Sequence, residues 1–206
     1  MTTITRDDID AMEKLYRINL INSCSGYKSA NLIGTKSKKG ETNVAVFSSV
    51  THLGSNPPLL GFITRPDVVP RNTYENIKET GVFTINHIHQ SITKDAHHTS
   101  AKYPKEISEF DQTDLKTEYK NDFFAPYVKG CRVQIGMQYV NEYKIEENGT
   151  ILIIAKIEHL HVNDEILEED GFINLAKAET ATINGLDGYA VPKQHIRYPY
   201  QRPKKL

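Results

Sequence analysis

A chain of 206 residues with a formal net charge of -1 can bury a full hydrophobic core and needs no disulfide or metal staple to fold. So balanced a charge provides no global field for nucleic acid or an anionic membrane, and no apolar run approaches the roughly 18–20 residues that cross a bilayer. The start, MTTITRDDID, is acidic where a signal peptide is basic and then apolar, so a cytoplasmic location is expected.

In chain order, Thr5-Arg-Asp-Asp predicts a helix start, with Thr5 as N-cap and Asp8 at the third helical position. Ile9, Met12, Leu15, Tyr16 and Ile18 recur at helical spacing, predicting one helix over about 5–22 that ends before Gly26. Residues 28–36 and 42–50 flank a Lys-Gly turn at Gly40 and predict a β-hairpin. In its second strand Val44, Val46 and Ser48 share one face and Asn43, Ala45, Phe47 and Ser49 the other. A polar loop then leads to a third apolar run, 58–64. Residues 71–81 predict a short helix capped by Asn72 with Glu75 three positions on, and stopped by Gly81 at C′. Residues 82–88 alternate as a fourth strand. The stretch 91–127 is polar and predicts helix and loop excursions. Residues 132–145 and 150–162 flank Glu-Glu-Asn-Gly, whose Asn-Gly is the strongest short hairpin signal. The tail, about 190–206, is aromatic, basic and proline-punctuated, and is expected to pack extended across a surface of one domain spanning 1–206.

Strands with local turns and no βαβ rhythm predict an all-β core within an α+β chain, an antiparallel barrel rather than a doubly wound sheet. Cys24 and Cys131 stand far apart in no CxxC pattern, so buried or inert thiols in a reducing compartment are expected.

One constellation suggests a ligand. A helix start favours an anion through its free N–H groups and its dipole. Arg71 precedes that helix and Thr73 adds a hydroxyl in its first turn. Arg65, at the end of the third apolar run, and Ser48, Ser49 and Thr51, from the neighbouring strand end, can bring further donors to one phosphate. Simple capping by Asn72 with solvated arginines is the alternative on spacing alone.

The runs GETNVAVFSSVTHLGSNPPLLGFITRP and RNTYENIKETGVFTINHI resemble the flavin reductase-like, FMN-binding split-barrel family. The likeness is carried by the order of a Gly-x-x-Asn strand, a Ser-rich strand end, Pro-Pro-x-hydrophobic, Arg-x-Thr-x-x-Asn-Ile and a Phe-x-x-Asn strand. It is strongest over 27–88 and continues loosely through HHTSAKYPKEISEFD and FFAPYVKGCRVQIG. Many longer members have Pro-Arg-Pro before the first strand; this chain has Gly26-Tyr27-Lys28-Ser29, so the flavin-edge contacts of that segment do not carry over. The resemblance implies a six-stranded antiparallel Greek-key split barrel, a homodimer, and FMN at the subunit interface. Ser48, Ser49, Val50, Thr51 and His52 would line the flavin, and Arg71 and Thr73, with Arg65 nearby, would hold its phosphate. Asn86, His87 and Ile88 would lie beside the ring or ribityl chain. The implied activity is NAD(P)H-dependent flavin oxidoreduction, moving hydride from nicotinamide to flavin N5, with NADH or NADPH as co-substrate. A partner oxygenase or another electron acceptor would receive the electrons. Because the cofactor carries the chemistry, no catalytic side chain is assigned. A non-catalytic FMN-binding or storage protein of the same fold is the alternative.

Other motifs give less. His87-x-His89 and His159-x-His161 each place two rings on one strand face, and His97-His98 lies in a polar stretch. No Asp or Glu stands at supporting spacing, so no metal is expected. Gly-x-Ser-x-Gly is absent, which argues against a serine nucleophile. Lys36–Lys39 are expected to form a hairpin tip held in water.

Overall fold

Period-two alternation folds most of the chain into antiparallel strands in the computed structural model, which describes residues 1–66, 71–193 and 196–203. The helices are α1 (Arg6–Ala11), α2 (Lys14–Cys24), α3 (Asn72–Thr80) and α4 (Thr93–His98). Strands β1 to β6 span Lys28–Ser29, Asn31–Lys36, Thr42–Phe47, Thr51–Ser55, Pro58–Thr64 and Val82–His87. Strands β7 to β12 span Thr117–Glu118, Tyr127–Val128, Val133–Ile145, Thr150–Val162, Thr182–Asn184 and Gly188–Ala190.

Seven strands form one sheet in the order β3-β2-β6-β9-β10-β5-β4, every neighbour antiparallel. The expectation of six strands is corrected by β4. Thr51–Ser55, expected as a polar loop, pairs with β5 as an edge strand, and its polar, largely exposed residues suit an edge that keeps one side in water. The split between the two sheet ends is closed by one side chain. Ser49 Oγ donates to Ile63 O and accepts from Ile63 N–H, both at 3.0 Å. The exit of β3 is thereby stitched to β5.

Inside the barrel Phe62 stacks edge-on between Phe47 (5.1 Å) and Phe83 (5.5 Å), among Ile33, Ile85, Met137 and Ile153. A second apolar cluster, including Leu32, Val44, Ile88 and Phe110, lies under the excursions that wrap the barrel. The strand–turn–strand pair expected around Asn148-Gly149 is the long β9–β10 hairpin. Gly34 on β2 has no room for a side chain, since a Cβ would stand 2.4 Å from Pro126 O and 2.6 Å from Thr84 Oγ1. Thr84 Oγ1 donates to Pro126 O at 2.6 Å, so the 117–128 segment rests directly on the strand backbone there.

Three local expectations change. The N-terminal helix is two helices. The Thr5–Asp8 capping box forms, but Met12 is extended and Glu13 starts a second helix by accepting from Leu15 N–H (2.8 Å) and Tyr16 N–H (3.1 Å). Neither helix buries a residue, and Leu15 (63 % exposed) and Tyr16 (60 %) face outward. Helix α3 begins one residue earlier than a cap at Asn72 allows. Arg71 is the N-cap, and the Asn72 amide instead donates to Lys105 O at 3.4 Å. Gly81 does end that helix, at φ +75°. Lys36 is half-buried rather than held in water, its ammonium over the rings of Tyr119 (4.6 Å) and Phe124 (4.1 Å). Cys131 is buried, and burial pushes its thiol up to about 12, whereas Cys24 is exposed.

In the tail Arg197 lies over Phe172 (3.9 Å) and pairs with Glu168 (2.9 Å) and Asp170 (2.7 Å). Tyr198 and Tyr200 are exposed.

Candidate functional site

The sheet topology draws most of the anticipated ligand residues to one rim. Ser48, Ser49 and Val50 leave β3 half-buried, and Thr51 and His52 continue, exposed, into β4. Ser49 holds the Ile63 peptide, so Arg65, two residues further on and exposed, stands by the same strand end. Arg71 Nε donates to Pro66 O at 3.3 Å, which brings the start of α3 to that corner. The intervening 67–70 lie outside the described residues. A path of contacts thus runs from Ser48 and Ser49 through Ile63 and Pro66 to Arg71.

The N-cap of α3, Arg71, makes no side-chain capping bond and turns its guanidinium to Pro66 O instead. Thr73 is buried, with Oγ1 3.0 Å from the Asn43 amide. Asn43 in turn contacts the buried carboxyl of Glu109, which also accepts from Val44 N–H at 3.1 Å. Burial pushes that carboxyl above its ordinary range. Asn43 and Glu109 carry no sequence signal. The first is one of several strand asparagines, and the second sits in a polar stretch whose fold is set by distant contacts.

Strand register places His87 two strands from the exit of β3, since Phe47 pairs with Asn31 and Asn31 with His87. That is on the order of 10 Å at the usual strand spacing. The His87 Nδ1 is buried without a hydrogen-bond partner among the described residues, and burial lowers the imidazole to about 4. It is neutral at pH 7. Asn86 and Ile88 do not reach the rim. Asn86 is fully buried and donates to Leu32 O (3.2 Å) and Thr84 Oγ1 (2.9 Å) while accepting from Val128 N–H (3.0 Å). Ile88 is equally buried, its N–H on Ala30 O and its carbonyl under Ala181 N–H. The Asn86 side chain is thus spent on these bonds, and Ile88 packs in the second apolar cluster.

A concavity of about 350 Å³ lies between Glu118, Lys120, Arg132 and His161, and one of about 790 Å³ between Gln90, Lys177, Glu179 and Lys193. No rim residue lines either. Among the described residues no three His, Cys, Asp or Glu side chains are placed to hold a metal.

With this geometry in hand, a family model for the flavin reductase like domain matches residues 26–179. The chain belongs to the flavin reductase-like family. Its fold superposes with TM-score 0.94 on a candidate flavin reductase with a split-barrel domain from Shewanella frigidimarina NCIMB 400, at 46 % identity over 98 % of this chain and 100 % of that one. A split barrel is therefore the fold. Nitrilotriacetate monooxygenase component B from Bacillus cereus shares it at TM-score 0.83 and 18 % identity, over 96 % and 98 % of the two chains. Flavoredoxin of Desulfovibrio vulgaris (Miyazaki F) does so at 0.74 and 18 %, over 84 % and 91 %. These last two establish likeness of fold alone. An uncharacterized protein of Methanothermobacter thermautotrophicus is 34 % identical over 151 residues, 71 % of this chain and 69 % of its own.

Proposed function

We propose that this family member binds FMN at the rim and acts as an NAD(P)H-dependent flavin oxidoreductase. The observation that carries the reading is the path of contacts joining the polar exit of β3 to the start of α3 at Arg71. It gives one ligand a polar edge at one end and an anion site at the other. Ser48, Val50, Thr51 and His52, with the Ser49 backbone, line the ring edge. Arg65, Arg71 and Thr73 hold the phosphate, and neutral His87 adds an uncharged neighbour. When bound, the flavin supplies a hydride acceptor for a reduced nicotinamide, so the side chains need only bind, orient and exclude water.

A flat cofactor on an exposed rim needs a second surface to exclude water, and the exposed apolar residues Leu15, Tyr16 and Ile21 of α2 offer one. The functional unit is accordingly a homodimer with FMN at its interface. Structural likeness to monooxygenase components B favours a partner oxygenase as the electron acceptor. Light scattering should give a dimer, and a monomer fully loaded with FMN contradicts that assembly.

Stopped-flow bleaching of the bound flavin by NADH or NADPH tests the activity. Rapid bleaching establishes the reductase; a yellow protein that neither nucleotide bleaches is instead a non-catalytic FMN carrier. The phosphate site has its own test. Arg71→Ala should weaken FMN binding roughly 10- to 100-fold, from the loss of a charge-assisted hydrogen bond worth about 1.5–3 kcal/mol. Riboflavin binding should barely change. Arg71→Lys should recover part of the affinity, since it keeps the charge and loses the planar fork. Wild-type FMN affinity in Arg71→Ala moves the anion site to Arg65.

A further inference from the structure

The concavity of about 350 Å³ between the 117–128 excursion and strands β9 and β10 takes no part in the scheme above. Gln134 lines it, 1 % exposed, with Asn86 on β6 and His161 on β10 as register partners. The cavity therefore stands three strands across the sheet from β3 and its polar exit. Every hydrogen bond of the Gln134 side chain fixes its wall. The amide nitrogen donates to Val128 O at 2.7 Å and to Glu118 Oε2 at 3.1 Å. The amide oxygen accepts from Lys120 Nζ at 2.6 Å. Lys120 and Glu118, both half-buried, also pair with each other at 3.2 Å.

An ion pair at a surface usually holds its geometry loosely. This one is clamped by a buried amide, so its charges are oriented before anything binds. Donors remain over. An ammonium has three N–H groups and a guanidinium five. Lys120 spends two, on Gln134 and Glu118, and keeps one. Arg132 spends one on Lys177 O and one on Glu179 Oε2, both at 3.1 Å, and the rest meet no acceptor among the described residues. Asn163 accepts from Glu165 N–H through its oxygen, and its amide nitrogen is likewise unpartnered among them. We propose that this cavity binds a small monocarboxylate, whose oxygens accept from Lys120, Arg132 and the Asn163 amide.

Charge selects the class. Lys120 and Arg132 line the cavity as cations and Glu118 as an anion, and burial, with Lys120 next, lowers the His161 imidazole, which is neutral at pH 7. One positive charge is left over, which suits one negative charge. A dianion meets the Glu118 carboxylate in the same wall and is disfavoured. The volume lies at the small end of ligand cavities, so the carboxylate belongs to a small molecule. None of these groups belongs to the proposed flavin rim, so the site stands or falls independently of that reading.

The test is an NMR titration of the full chain with acetate at fixed pH, following the His161 ring proton, whose resonance His161→Gln identifies. Acetate should move that resonance saturably, and chloride at the same ionic strength should not. Lys120→Met should weaken acetate roughly fivefold, about the worth of one partly exposed charge contact. Glu118→Gln should act in the opposite sense and tighten it, since its amide oxygen can still accept from Gln134 while the repulsion is gone. A purely structural role for the pair moves both variants the same way, and that result overturns the proposal. So does a wild-type shift that grows linearly with acetate and equally with chloride, because the Gln134 network then only fastens the 117–128 segment to β9. Inorganic phosphate binding more tightly than acetate overturns the assignment to a monocarboxylate. The wild-type titrations decide the matter even if a variant does not fold.

Discussion

Ser49 shows how one side chain serves fold and site together. Its hydroxyl gives and takes a hydrogen bond on the backbone of one residue, Ile63, and so ties β3 to β5 where the polar rim begins. Ser49→Ala leaves that half-buried N–H and carbonyl without their partner, a change that costs about 1–3 kcal/mol. The expected result in urea melts is a lower midpoint with an unchanged slope, together with weaker flavin binding as the rim loosens. Ser48, one residue earlier, has no such bond among the described residues, so Ser48→Ala should leave stability within about 0.5 kcal/mol of wild type. Equal stability losses at the two serines would deny Ser49 its closing role. The sequence shows two adjacent hydroxyls at a strand end and suggests ligand contacts for both. Only the contact across the split separates them, and that partner lies fourteen residues away.

Elements with strong local signals were legible. The hairpin about Gly40, the β9–β10 pair at Asn148-Gly149 and the end of α3 at Gly81 each depend on a turn or a left-handed residue that glycine supplies locally. Where long-range contacts decide, the pattern misled. Asn72 looks like a cap, but its amide is taken by Lys105 O, thirty-three residues on, and Arg71 starts the helix. Thr51–Ser55 has the composition of a loop and becomes a strand because β5 offers it a free edge. Asn86, on β6, and Ile88, just past its end, carry the family pattern with their side chains in the interior, where Asn86 ties Leu32, Thr84 and Val128 together. The 117–128 excursion is another element set by long-range packing, lying on Gly34. A methyl group there meets the Pro126 carbonyl at 2.4 Å, and backbone cannot swing aside as a side chain can. Gly34→Ala should therefore cost at least about 1–3 kcal/mol and lift the excursion. Hydrogen exchange should quicken at Val128 N–H, which bonds to Asn86. Unchanged protection at Val128 would mean that the strand, rather than the excursion, yields.

For the whole molecule, imidazoles lowered by burial are expected to set the acid limit of stability. His87 is lowered from 6.5 to about 4 by burial, and its Nδ1 has no partner among the described residues. His89 and His161 are lowered too, chiefly by burial, with Arg132 adding to the effect at His89 and Lys120 at His161. A depressed imidazole means that the unfolded chain binds protons the folded chain refuses, so stability is complete above pH 6.5 and is lost as pH falls toward 4. For His87 alone the loss approaches about 3 kcal/mol, since each tenfold drop in proton affinity is worth about 1.4 kcal/mol. Glu109 works in the other direction. Its raised carboxyl keeps a proton that the unfolded chain has released, so its cost grows as pH rises above the ordinary carboxylate range. The two effects together predict a stability maximum near neutrality, with an acid limb that steepens between pH 6.5 and 4. Urea melts across that range should show His87→Gln with a flatter acid limb than wild type, because glutamine has no proton to gain. Glu109→Gln should leave the acid limb in place and raise stability on the alkaline side. An acid limb as steep in His87→Gln as in wild type would assign the transition to other groups and remove His87 from the account of the neutral rim.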